Sequence, residues 1–119
     1  IKSFDEKFLE KLETIVKKQL ADTDLSVETI SAEIGISRSQ LQRKLKQLTN
    51  QNPSEYIKTT RLKYAAALLA SKKLTISEVT YAAGFSSLSH FSNSFKEYYG
   101  MSPTKYMEIN SKEKPKVQE

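Results

Sequence analysis

The sequence predicts an all-α protein in which two copies of a helix-turn-helix arrangement flank one long helix. Three observations carry that reading. Apolar residues recur at three- and four-residue spacing between residues with helix-capping chemistry. The stretch from Asn52 to Ala70 contains no helix breaker after Pro53. A script of caps, turns and apolar anchors set out before that stretch begins again after it, displaced by about fifty residues.

Taken in order, Asp5 to Leu20 reads as an amphipathic helix with Phe8, Leu9, Leu12, Ile15, Val16 and Leu20 on one side. Ser26 caps a short helix through about Ile34, with Leu25 and Ile30 placed as a hydrophobic staple. Gly35 ends it by supplying the positive φ that a tight turn requires. Ser37, with Gln40 in the capping-box position, opens the next helix, and Asn50 stops it. Asn52 and Pro53 start the long helix, about 27 Å at 1.5 Å per residue. Its apolar positions Ile57, Leu62, Ala65, Leu68 and Leu69 predict one buried face.

The repeat then runs from Thr75, capped with Glu78 and stapled by Leu74 and Val79. Gly84 and Phe85-Ser86 echo Gly35 and Ile36-Ser37, and the following helix ends at Tyr99. Leu41, Leu45 and Leu48 become Phe91, Phe95 and Tyr98, while Asn50, Pro53 and Tyr56 become Gly100, Pro103 and Tyr106. Tyr98 and Tyr99 are expected in core and helix-end packing. The boundaries are therefore a domain over 1–110, with units at about 26–49 and 75–99, a linker helix at 53–70 and a closing helix at 103–109. Residues 111–119, rich in Lys, Glu and Pro, are expected to be a disordered tail.

Composition bounds the chemistry. The 119 residues carry no Cys and one His, His90, which leaves no thiolate or multi-His metal site. There is no phosphate-cradling glycine loop and no paired carboxylates in a pocket-forming pattern, so no enzyme activity and no cofactor are expected. No run approaches eighteen apolar residues and no signal peptide is visible, which predicts a cytoplasmic chain, or the cytoplasmic side of an anchored protein. A first residue of Ile rather than Met points to a fragment of something longer. The net charge of +5 is unevenly spread. Residues 34–74 hold nine Lys or Arg against Glu55 alone, whereas residues 1–33 hold five Lys against eight acids. A basic middle of this kind is the footprint of a polyanion partner.

The face carrying that charge can be located. With Leu41 at 0° on a wheel of about 100° per residue, Leu45 and Leu48 fall within about 40° of it, and Ser39, Arg43, Lys46 and Gln42 fall on the far side. In the second copy the corresponding set is Ser89, Asn93, Lys96 and Ser92. A DNA major groove accepts a helix presenting such groups, because Arg pairs bidentately with guanine and Gln or Asn with adenine. An ordinary solvent-facing side explains one such face; two in register with two turns favour recognition.

Ala32 through Lys46, Arg61-Leu62 with Ala65 to Leu69, Gly84-Phe85-Ser86-Ser87 through Phe91 to Phe95-Lys96, and Tyr98 through Tyr106 resemble the DNA-binding domain of AraC-type (AraC/XylS family) transcriptional regulators. The resemblance covers about residues 5–109 and is strongest to the C-terminal output domains of hybrid two-component sensors. It implies seven helices in two homeodomain-like units, whose recognition helices enter successive major grooves on one face of double-stranded DNA. It implies base contacts by Ser39, Gln42 and Arg43 in the first unit and by Leu88, Ser89, His90, Ser92 and Asn93 in the second. Asn93 stands where many members have Arg, which removes a strong guanine reader. Backbone contacts are expected from Arg38, Lys46, Arg61 and Lys96. Further implied partners are RNA polymerase and upstream sensor or receiver domains, with the fragment itself monomeric. Tandem readers need a spacing of about 34 Å, one DNA turn, which the linker helix plus the widths of the units can meet. The competing reading is a helical module that uses its basic face on acidic protein or RNA. Only the DNA reader requires one duplex to outcompete random duplex.

Overall fold

A computed structural model describes residues 1–110 of the chain; the tail expected at 111–119 lies outside the described residues. Among the described residues every regular element is a helix: α1 Phe4–Lys18, α2 Val27–Ile34, α3 Arg38–Thr49, α4 Pro53–Ser71, α5 Ile76–Ala82, α6 Leu88–Tyr99 and α7 Pro103–Ile109. The all-α expectation holds. The chain forms two compact units, Ile1–Thr60 and the part from Arg61 onward, so that the division falls inside α4.

In the first unit, α1 begins one residue earlier than expected and ends two residues earlier. Ser3 sets the start, because its hydroxyl accepts from the Glu6 amide at 3.1 Å while the Glu6 carboxylate accepts from the Ser3 amide at 3.3 Å. At the other end the Gln19 amide donates to the Val16 carbonyl at 3.1 Å, tightening the last turn. Leu20 is buried although it lies beyond the helix. Ser26 caps α2, and Gly35 leaves it at φ 87°. Ser37 and Gln40 form the reciprocal box that opens α3, and Asn50 closes it at φ 60°. The core gathers Leu12 and Val16 from α1, Ile30 and Ile34 from α2, Leu41 and Leu45 from α3, and Ile57 from α4. Tyr56 packs against this core. Its hydroxyl pKa is raised by burial and by the Glu13 carboxylate, with a hydrogen bond from Thr60 opposing the rise.

Helix α4 opens on a reciprocal cap, with the Glu55 amide donating to Asn52 Oδ1 at 2.8 Å and the Asn52 amide to Glu55 Oε1 at 2.9 Å. The expected single buried face is not what forms. Ile57 enters the first core, whereas Leu62, Ala65, Ala66 and Leu69 belong to the second. One helix serves two cores, so its apolar residues need not share one stripe.

In the second unit Thr75 and Glu78 cap α5 reciprocally, as expected. Here Ala83 is the cap residue, and Gly84 adopts φ 89° one position later. Ser87 caps α6, Gly100 closes it at φ 77°, and Ser102 with Pro103 opens α7. The core is aromatic where the first is aliphatic. Phe91 and Phe95 are fully buried, and the Phe95 ring lies 4.6 Å from Tyr99 and 5.3 Å from Tyr106, centroid to centroid. Tyr98, expected as the counterpart of Leu48, is instead 46% exposed. Tyr99 takes the packing role because α7 brings Tyr106 against it at 5.2 Å. Burial, then the neighbouring Tyr106 and Tyr98, pushes the Tyr99 hydroxyl up to about 12.

Candidate nucleic-acid interface

In the first unit, the cap at Ser37 and the apolar anchors fix which side of α3 faces out. Leu41 and Leu45 are 0% and 1% exposed, which turns Ser39, Gln42, Arg43 and Lys46 to solvent, all four of them exposed. Gln42, Arg43 and Lys46 share the wall of a shallow hollow with Gln47 and with Asn52 and Glu55 at the start of α4. Glu55 is engaged in capping α4, so the hollow's one carboxylate already accepts from the Asn52 backbone amide. The wheel reading did not single out Gln47; its position four residues after Arg43 is the signal that places it there.

Arg38, expected to touch the DNA backbone, is exposed, and its Nη1 donates to Glu28 Oε2 of α2 at 2.6 Å. Exposed pairs of this kind contribute under about 1 kcal/mol, so an incoming phosphate can replace the carboxylate at little cost. Lys44 points elsewhere. Its Nζ is 3.0 Å from Asp5 Oδ1 and lies over the Phe4 and Phe8 rings at 5.1 and 5.4 Å. It ties α3 to α1 rather than joining the outward set.

In the second unit the same logic turns α6. Phe91 and Phe95 are buried, and Ser89, His90, Asn93 and Lys96 are exposed. Leu88, at the first position of α6, is 44% exposed. An apolar group there is suited to a thymine methyl rather than to a hydrogen-bonding base edge. Ser92 is only half-buried, a flank position. The His90 ring meets the buried Phe85 ring edge to face at 5.5 Å, which steadies it against the core while leaving it exposed. Arg61, at the start of the second unit, is half-buried on α4.

The sites are thus two clusters, one per unit, with different chemistry. The first offers a guanidinium, an ammonium and carboxamides; the second offers hydroxyls, one carboxamide, one imidazole and one leucine. Among the described residues there is no group of three or more His, Asp or Glu placed to hold a metal ion, and no helix is long and apolar enough to cross a membrane.

A family profile described as a helix-turn-helix domain matches residues 30–109. A histidine kinase P4 from Formosa agariphila is 40% identical over 106 residues, 89% of this chain but 8% of that protein. Among solved structures, an AraC-type transcriptional regulator from Chromobacterium violaceum is similar at a TM-score of 0.82 and 28% identity, over 90% of this chain and 95% of that one. The DNA-binding domain of AdpA, a global transcriptional factor solved in complex with a target DNA, is similar at a TM-score of 0.74 and 27% identity, over 84% and 89%. The chain spans 8%, 35% and 43% of the first three curated relatives it matches.

Proposed function

The chain belongs to the AraC-type family of helix-turn-helix transcriptional regulators, and we propose that it reads duplex DNA with the outward faces of α3 and α6 as the output domain of a larger signalling protein. DNA binding and transcription regulation follow from membership; the assignment of individual contacts is our own reading. The observation that carries it is the paired exposure of Ser39, Gln42, Arg43 and Lys46 on α3 and of Ser89, Asn93 and Lys96 on α6, each set backed by fully buried anchors.

Arg43 and Gln42 supply direct base readout in the first unit. Leu88, Ser89, His90, Ser92 and Asn93 form the weaker reader of the second. Lys46, Lys96, Arg38 and Arg61 are assigned to phosphates, where they position the chain without specifying sequence. Helix α4 links the two readers along the chain. Upstream sensor or receiver domains control the output, RNA polymerase receives it, and this domain binds as a monomer on the cytoplasmic side. The kinase relative, in which the matching stretch is 8% of the length, supports the first of these.

Selection of bound duplexes from a random pool, followed by nuclease footprinting, tests the reading. A selected site should show protection on one face across two successive turns, about 34 Å apart. Binding that random duplex competes away as well as the selected one would sink it. Protection limited to one turn would mean that a single unit docks.

A further inference from the structure

We infer that the groove between α1 and α3 of the first unit is a docking site for an acidic amphipathic helix of a partner protein, and that docking there competes with DNA. The groove has a volume of about 540 Å³. Its apolar surface comes from Phe4 and Phe8 of α1 and from Ile34 and Ile36 at the end of α2. Phe4 is 78% exposed, with Lys44 Nζ 5.1 Å from its ring centroid, and leaves an aromatic surface open at the start of α1. Lys7, Lys11 and Arg43 ring that surface together with Lys44, whose ammonium is already paired with Asp5 at 3.0 Å.

The lining repeats a helical period on both walls. Residues 4, 7, 8 and 11 of α1 and residues 40, 43, 44 and 47 of α3 each follow i, i+3, i+4, i+7 spacing. Each wall is therefore a continuous stripe about 10 Å long, about two helical turns, apolar and cationic on α1 and wholly polar on α3. The chemistry selects the occupant. A phosphate strand would satisfy Lys7, Lys11 and Arg43 but has no use for the phenylalanines. A neutral helix would cover the phenylalanines and offer nothing to Lys7, Lys11 and Arg43. A helix with one leucine-rich side flanked by glutamates satisfies both, and Phe4 and Phe8 supply the aromatic anchors that dominate such interfaces.

Competition follows from Arg43, and this part rests on the DNA reading above. The same guanidinium lines the groove and belongs to the outward set of α3. Drawn to a partner carboxylate, it is withdrawn from the bases, and linkage then requires DNA to weaken the partner by the same factor. Occupation of the groove would be a means of switching the first reader off.

The probe is a hydrocarbon-stapled helical peptide of about three turns carrying leucines on one stripe and glutamates on both flanks. It is titrated into the isotope-labelled chain and followed by amide chemical shifts. Shifts should concentrate on the first half of α1, on Ile36 and on α3. Phe4→Ala, and separately the pair Lys7→Glu and Lys11→Glu, should weaken the peptide about tenfold or more, a free-energy change of about 1.4 kcal/mol. All three positions are exposed, and the same spectra verify that the variants stay folded. Absent shifts, shifts spread equally over α6, or affinity unmoved by these substitutions would overturn the docking site. Full displacement by decanoate with the same shift pattern would reassign it to a small amphipathic anion and overturn the helix partner. With a selected duplex present, peptide and duplex should weaken each other equally; independent binding overturns the competition. A chain that binds the peptide in the groove but selects no duplex would instead refute the DNA reading and leave the docking site standing.

Discussion

Ser31 and Thr80 are one structural position occurring in two separate cores. They lie 49 residues apart, and both are buried polar side chains, 6% and 0% exposed. The Ser31 hydroxyl donates to the Glu28 carbonyl at 3.1 Å and the Thr80 hydroxyl to the Ile76 carbonyl at 2.9 Å. Each residue's own carbonyl then accepts the amide just past the glycine turn, from Ile36 at 3.1 Å and from Phe85 at 3.0 Å. Each unit thus closes the turn of its helix pair on a small hydroxyl residue that satisfies itself within its own helix.

Thr80→Ala should cost about 1–2 kcal/mol, because it removes a methyl and a satisfied hydroxyl from a fully buried site. Ser31→Ala, which removes only a hydroxyl, should cost less. Urea denaturation followed by circular dichroism decides the order, and a larger loss at Ser31 would contradict the equivalence of the two positions.

Gly35 tests the turn itself. An added Cβ would meet no heavy atom within 4 Å, so only its φ of 87° opposes a side chain. Gly35→Ala should therefore lose about 1–2 kcal/mol through backbone strain alone. Gly35→Asn should lose less, since Asn50 already adopts a positive φ of 60° in the same unit. Equal losses for the two variants would point to sterics instead.

The two readers should not contribute equally. Arg43→Ala is expected to relax preference at one base pair of the selected site at a cost of about 1–3 kcal/mol. Asn93→Ala should cost less, and competition titrations on singly substituted duplexes measure both. A larger loss at Asn93 would reverse the ranking.

Spacing by α4 calls for a helix break outside either core. Ala66 is 4% exposed within the second core, so Pro there would test packing rather than spacing. Lys63 is exposed, and Lys63→Pro costs about 3 kcal/mol locally by removing a donor and clashing one turn back. Footprinting should show the first half-site kept and the second lost, with Lys63→Ala controlling for charge. Unchanged protection of both would show that α4 does not set the spacing.

Tyr99 predicts alkaline sensitivity of the second unit. Its folded pKa, about 12, lies above the ordinary value of 10.0, so between these the folded state holds a proton that the unfolded chain has begun to lose. Its contribution is complete below about pH 10 and declines as pH rises toward about 12. Tyr56 is raised as well, so absorbance titration should reveal more than one late tyrosine in the parent and one fewer in Tyr99→Phe. A Tyr99→Phe protein that loses stability over the same pH range as the parent would place the effect elsewhere.

The sequence reveals those parts of the fold that depend on nearest neighbours. The boxes Ser37–Gln40 and Thr75–Glu78 and the positive φ at Gly35 and Asn50 are local hydrogen-bond and steric chemistry, readable from spacing alone. So is the outward side of α3, because Leu41 and Leu45 fix it. What escapes the sequence is non-local. Lys44 belongs to the basic middle by composition, yet it pairs with Asp5, 39 residues earlier. Arg38 meets Glu28 across a turn, and Tyr99 displaces Tyr98 only because α7 returns with Tyr106. The second reader was legible as a face, while its weaker chemistry follows from what side chains are there rather than from how they are held.

The division of the chain inside α4 also bears on its birth. Every core residue of the first unit, from Leu12 to Ile57, is supplied before Thr60, and every core residue of the second comes from Leu62 or later. Neither core waits for a distant segment to loop back. A ribosome adding about 5–20 residues per second therefore completes the first unit's sequence some seconds before the second's, and helices built on local contacts fold in far less time than that. The first reader can be finished while its twin is still being translated, so the two similar halves do not compete for each other's helices.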